Sequence, residues 1–315
     1  MLAGETDGAF AALHLDVGRR NAAMLLALSL IWGASFLFIK VAVRDLAPSS
    51  LILGRLGLAA ITLAAIAGVV LGRERTLREL RENLRWIAVV GIVNTAVPFW
   101  LLSWGETRIQ SGLASIIQAA VPIFNAALAF CFFRELRVTG LPLVGVGVGF
   151  VGVALLVGAQ PQGKILGALA VVAMALCYGA GGLLASRHLR EAPAHAVALG
   201  TSTVAAIAAA PAGIVQAPHF MPSWKTFASI AVLGIVGTAI AYLLFFALIT
   251  SAGSGYASLV TYLVPPIALA YGAVFLGEHF GATAFVALLV ILAGVALGTS
   301  GRRVSLRRRR LASEG

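Results

Sequence analysis

Apolar runs of about twenty residues alternate with short polar stretches along most of the chain. Ten such runs lie near 22–43, 51–71, 86–104, 111–133, 140–158, 164–185, 194–215, 227–250, 254–276 and 281–300. Each has the length a helix needs to cross the hydrocarbon core of a bilayer. Lipid offers no partner to an open backbone group, so the runs predict transmembrane helices. In the fourth run, Ser111, Ser115, Gln118, Pro122 and Asn125 recur at steps of four, three, four and three, which lays them along one narrow helix face. Ile116, Ile117, Val121, Leu128 and Phe132 fill the rest of that helix. Pro122 has no N–H for the carbonyl of Gln118, which is therefore expected to be free to bind something else. The ninth run repeats the layout with Ser254, Ser258, Thr261 and Pro265. Two polar stripes in otherwise lipid-like segments predict two walls of one cavity.

The stripes belong to a longer repeat. Placing Gly91 on Gly234 gives an offset of 143 that runs without a gap from Ala88 to Glu135, and eighteen of those 48 positions are identical. Compositional bias alone would give roughly one in ten. GIVNTAV pairs with GIVGTAI, SGLAS with SGYAS, and a weaker match joins Trp32-Gly33-Ala34 to Tyr178-Gly179-Ala180. The predicted organisation is a tail over 1–21, a five-helix repeat over 22–158, a second over 164–300 and a basic tail over 301–315. Because five is odd, the second repeat enters the membrane upside down relative to the first. The fold class expected is an all-α polytopic membrane protein, with ten transmembrane helices in two inverted five-helix repeats around a central cavity. Such repeats are an architecture of secondary transporters, which bind substrate between the halves near the midplane.

Charge sets the orientation. With the N-terminus inside, seventeen arginines fall on the cytoplasmic side: Arg19, Arg20, Arg73, Arg75, Arg78, Arg81, Arg85, Arg134, Arg137, Arg187, Arg190, Arg302, Arg303 and Arg307 to Arg310. Only Arg44, Arg108, Lys164 and Lys225 fall outside. The positive-inside rule then places both termini in the cytoplasm, with the chain in the inner (cytoplasmic) membrane. With 60% hydrophobic and 11% charged residues the chain is far from a soluble composition. The net charge of +11 follows the loops and the C-terminal tail, so it points to membrane lipid as a partner and not to nucleic acid. Residues 1–18 carry Glu5, Asp7 and Asp16 and no long apolar run, so a short disordered tail is expected and not a cleaved signal peptide.

The candidate substrate-binding residues are polar or aromatic and lie inside the runs. They are Trp32 and Ser35 on one face of the first helix, Asn94 and Trp100 in the third, Ser115, Gln118 and Asn125 in the fourth, and Tyr178, Tyr242, Thr261 and Tyr262 in the second half. Gln118 leads, because an unpaired amide in lipid is expensive. Trp104 and Tyr271 are expected as interfacial anchors. Lys40 and Arg55 sit toward outer helix ends, where they either snorkel to the interface or form a charged outer lip that orients an anion such as a carboxylate. Pro98, Pro122 and Pro265 are expected to kink their helices, and Gly179, Gly181 and Gly182 to form a hinge. Gly145 with Gly149, and Gly294 with Gly298, make small-xxx-small packing faces, within a monomer or across a homodimer. Glu106, Glu135 and Glu278 end their runs, so no buried carboxylate relay for protons is visible, and proton coupling stays open. Cys131 and Cys177 lack CxxC spacing or a nearby histidine and read as packing residues. No metal site, cofactor or catalytic group is expected, which disfavours an intramembrane or lipid-modifying enzyme. A sensor or structural protein is the other alternative.

WGASFLFIK in the first helix, Arg55 near the start of the second and SLVTYLVPPIALAYGAVFLGE over Ser258 to Glu278 resemble EamA-type members of the drug/metabolite transporter superfamily. The likeness covers roughly 22–300 and touches Trp32, Gly33, Lys40, Arg55, Pro122, Glu135, Pro265 and Glu278. It implies a cavity that opens alternately to each side and transport of small metabolites, often export of amino acids or related compounds. Leu56, where an aromatic is expected, and the glycine-rich sixth helix depart from the pattern. Charge is thin for the phosphate-sugar and nucleotide-sugar carriers of the same superfamily.

Overall fold

A computed structural model of the chain describes residues 3–70, 72–132, 140–160 and 164–311, with side chains described between residues 18 and 298 of these. Every regular element among them is a helix. Ten are apolar: α1 (Gly18–Ala42), α2 (Pro48–Val70), α3 (Leu84–Glu106), α4 (Ser111–Phe132), α5 (Leu141–Gly158), α6 (Ile165–His188), α7 (Ala194–Val215), α8 (Trp224–Ala252), α9 (Ser254–Leu276) and α10 (Ala282–Gly298). The first nine have the length and hydropathy to cross a membrane, and α10 is a shorter apolar helix. A short amphipathic helix, Arg73–Glu82, joins α2 to α3.

The backbone of α1 is already helical from Ala3, and that of α10 continues to Leu311. The expected disordered tail is thus an extension of the first helix, since 3–18 is rich in good helix formers and has no proline. Glu135, Arg134 and Arg137 lie outside the described residues. The ten helices alternate in direction, with the end of α1 beside the end of α3 and the end of α9 beside the start of α4, so the start of α1 and the end of α10 share one face, called here the terminal face.

Helix contacts obey the duplication. α1 packs on α8 and α9 as α6 packs on α3 and α4; α2 packs on α8 as α7 packs on α3. α2 with α7, α4 with α9 and α5 with α10 pair with their own counterparts. Exchanging α1–α5 for α6–α10 leaves this pattern unchanged, as two repeats about a two-fold axis require. The glycines shared by the repeats sit at these crossings. A Cβ on Gly33 would lie 2.5 Å from Ile267 Cγ2 on α9, and one on Gly179 would lie 3.0 Å from Asn125 N on α4. Likewise Gly91 faces the Thr201 carbonyl of α7 at 3.1 Å, and Gly234 faces Leu58 Cβ of α2 at 2.7 Å.

The glycine run of α6 lies at close crossings with α3 and α4. Besides Gly179 on α4, a Cβ on Gly181 would lie 2.6 Å from Asn94 Oδ1 on α3, and one on Gly182 would lie 3.5 Å from Asn125 Nδ2. The small-xxx-small faces of α5 and α10 meet each other within the chain. A Cβ on Gly145 would lie 2.6 Å from the Gly294 carbonyl, and one on Gly294 would lie 2.5 Å from Gly149 N. Lipid supplies no hydrophobic drive between helices, so close contact of this kind holds the pair together.

Two irregularities also recur. α3 contains a π-helical turn at Ile92–Ala96 and α8 a longer one at Val232–Ile240, and the first falls within the second under the offset of 143. Pro98 sits in the first turn after the α3 segment, but Ala241 takes its place in α8, so the proline is not the common cause. Thr238 donates its hydroxyl to the Leu233 carbonyl five residues back at 2.8 Å, a reach that suits the wider turn. α4 divides into Ser111–Gln118 and Val121–Phe132 just before Pro122, and α9 into Ser254–Ala257 and Val260–Leu276 ahead of Pro265.

At the face opposite the termini, Asp45 fastens the α1–α2 loop to the start of α8. Its carboxylate accepts from Thr226 Oγ1 (2.6 Å), Ser223 Oγ (2.7 Å) and Ser223 N (3.0 Å). Those hydrogen bonds, Thr226 foremost, hold the Asp45 carboxyl below the usual carboxylate range. A depressed carboxyl contributes stability above its unfolded value and loses it as pH falls through the folded one. Asp45→Asn should thus lower the thermal midpoint at neutral pH, with the gap to wild type closing in acid, as a pair of melting curves would show.

Candidate functional site

A cavity of about 430 Å³ lies between the two halves. Its walls come from α1, α3 and α4 and from their counterparts α6, α8 and α9, with Arg55 from α2 and three residues from α7. Toward the terminal face its lining runs to Val90, Ala185, Val197, Phe246 and Val260. At the other end it stops at Ile39, Leu102 and Ser115. Beyond those three, Glu106, Ile109 and Ser111 are buried and shut that end.

Of the expected binding residues, Trp32, Ser35, Asn94, Ser115, Gln118, Tyr178, Tyr242 and Thr261 line the cavity, as do Pro122 and Pro265. Ser115, Gln118 and Pro122 of the α4 stripe and Thr261 and Pro265 of the α9 stripe face it together. Ser35 and Ser115 donate their hydroxyls back to Ile31 O (3.1 Å) and Gly112 O (2.6 Å), which leaves their lone pairs to the cavity. Trp32 packs against Phe245 at 5.4 Å between ring centroids, and Tyr178 meets Phe99 edge-on at 6.5 Å. A mostly aromatic and aliphatic wall with a few convergent polar groups is the usual make-up of a small-molecule site.

Three of the expected residues lie elsewhere. Trp100 is 39% exposed, donates its indole N–H to Ser49 Oγ at 3.1 Å and stacks on Trp104, which in turn lies beneath the Arg108 guanidinium at 3.5 Å. That cluster is interfacial. Asn125 donates to the Gly179 carbonyl at 3.4 Å and so joins α4 to α6 beside the cavity. Tyr262 packs into the core around α9. Cys131, expected to pack, is exposed.

Arg55 is not at an outer lip. It lies about 10 Å into α2 by helical rise, is only 5% exposed and lines the cavity. Its Nε donates to Thr238 Oγ1 at 3.0 Å, and its guanidinium carbon stands 4.1 Å from the centroid of the Phe99 ring. Phe99 and Tyr242, also in the cavity, are repeat equivalents at an offset of 143. Among the described residues no carboxylate pairs with Arg55, and its terminal nitrogens have no protein acceptor. The π turn of α8 presents the Thr238 hydroxyl that aims the guanidinium.

Lys40 forms no lip either. Its ammonium donates to the main-chain carbonyls of Glu106 and of Ile109, the latter at 2.7 Å, and so caps the end of α3. Beside it, Glu278 accepts from Ser111 N (2.8 Å), Ser111 Oγ (2.9 Å) and Gly112 N (3.2 Å), a carboxylate on the positive end of α4. Glu106, which the sequence places at a helix end, has no exposed surface at all. The chain beyond it turns inward, with Ile109 and Ser111 buried, and hydropathy along one helix carries no signal of that.

The model of the EamA-like transporter family matches the chain twice, over residues 20–158 and 165–299. The chain belongs to this family and is a multi-pass membrane transporter. It is 31% identical to a probable terminal-alkyne amino-acid exporter of Streptantibioticus cattleyicolor, over 90% of this chain and 94% of that one. It is 28% identical to the uncharacterized inner membrane transporter YedA of Escherichia coli K12, over 88% and 90%. A probable amino-acid metabolite efflux pump of Salmonella typhimurium is 25% identical over 91% and 97%. A crystal structure with 18% identity superposes with a TM-score of 0.65 over 89% of this chain and 97% of that one, which shows the same fold.

Proposed function

We propose that the protein exports a small amino-acid-like metabolite from the cytoplasm by alternating access. The observation that carries the substrate class is Arg55, a buried guanidinium in a largely apolar cavity that is ion-paired with no carboxylate among the described residues. A bound carboxylate would supply the missing partner in the forked geometry that arginine favours, and the aromatic walls suit an apolar side chain. Two relatives named for amino acids or their metabolites support the reading. The positive-inside pattern supports cytoplasmic termini, in which case the end of the cavity covered by Glu106, Ile109 and Ser111 faces outward.

The test is flux through reconstituted proteoliposomes with a panel of labelled amino acids and related acids. Saturable flux should be inhibited by other free acids and not by their methyl esters; equal inhibition by the esters would remove the carboxylate from the recognition. Gln118→Ala should lower transport roughly 2- to 10-fold, the worth of one hydrogen bond, at unchanged membrane abundance. Unaltered kinetics would take Gln118 out of the site.

A further inference from the structure

The shut end of the cavity is built around Glu106. Its carboxyl is wholly buried, and neither oxygen has a hydrogen-bond partner. The charged groups that face it are Lys40 from α1, Arg55 from α2 and Glu278 from the segment after α9. α6 meets this end of α3 with uncharged residues, Gly167 and Val171 against Gly105. Each cation near Glu106 donates its hydrogen bonds elsewhere: Lys40 to main-chain carbonyls, Arg55 to Thr238. Glu278 adds a second negative charge and is itself held by the α4 amides. An ionised carboxylate left dry and unpaired is costly, and a neutral carboxylic acid is much less so.

We propose that Glu106 is a proton-binding site, neutral while the face opposite the termini is shut and ionised when that face opens. On opening, the proton passes from the carboxyl to water on that side, and the carboxylate gains hydration and the Lys40 ammonium. Acid therefore favours the shut form and alkali the open one. The proposal takes from the transport reading only the idea that this face opens.

Two measurements on the full-length protein in liposomes test it, neither using a substrate. Infrared spectra at neutral pH should contain the carbonyl stretch of a protonated carboxylic acid that disappears in Glu106→Gln, persists in Glu278→Gln and moves in Glu106→Asp. A band that survives Glu106→Gln, or no such band in the wild type, overturns the site. The second uses Ser115→Cys in protein whose Cys131 and Cys177 are replaced by alanine. Labelling by an impermeant maleimide from the face opposite the termini, normalised to the unfolded protein at each pH, should rise severalfold from mildly acidic to mildly alkaline solution. Adding Glu106→Gln should hold it low throughout. Labelling independent of pH, or unaffected by Glu106→Gln, overturns the coupling of this residue to the face. Such failures leave the transport proposal standing, and a failed flux panel does the reverse.

Discussion

Arg55→Ala should reach the membrane in normal amount and lose saturable transport of carboxylate substrates. Truncating one member of a desolvated charge pair costs about 2–5 kcal/mol, roughly a 30- to 5,000-fold loss of apparent affinity. Stability should move the other way or not at all. In the unloaded protein the guanidinium is buried with a single hydrogen bond and an aromatic face, so a methionine of similar length should hold or raise the melting temperature. That split between transport and stability separates a binding residue from a structural one. Arg55→Lys keeps the charge but not the fork and should fall between wild type and alanine. Flux measured against substrate concentration decides the matter; wild-type half-saturation in Arg55→Ala would end the assignment.

The second large effect lies far from the cavity. Gly145→Leu should remove most of the folded protein, because its side chain would start inside the backbone of α10, against Gly298 N and the Gly294 carbonyl. Overpacking costs about 1–3 kcal/mol where side chains can yield, and backbone yields less. Gly147→Leu, two residues on in the same helix, has nothing within 4 Å and should be harmless. Yield of monodisperse protein in detergent, with thermal midpoints, compares the two. Equal behaviour would mean that the α5–α10 contact does not hold the fold.

Much of this architecture is legible in the sequence. Ser115, Gln118 and Pro122 of α4 and Thr261 and Pro265 of α9 could be placed on one cavity because helical spacing and the repeat are both local patterns. Depth is not local, however. Arg55 looks peripheral by its distance from the end of α2, yet α8 covers it, and only the partner helix decides that. Glu106 looks like a helix end at the interface for the same reason. The close approach of Asn94 to Gly181 is equally invisible from α6 alone. The recurrent π turns leave one trace, the shared GIVxTA, which records identity and not the wider turn.

The ionisable residues around the cavity are unevenly inherited. Lys40, Arg55 and Glu106 all belong to α1–α3, and the second repeat offers Ser186, Thr201 and Ile249 at the corresponding positions. At the terminal face α1 and α8 are joined instead by a neutral hydrogen bond, Ser251 Oγ to Asn21 Oδ1 at 2.9 Å. In a carrier made of two identical inverted halves, the inward-open and outward-open forms would be degenerate in energy. Here, under the cycle proposed above, three side chains of one half lift that degeneracy, and the conditions on a single side of the membrane set by how much.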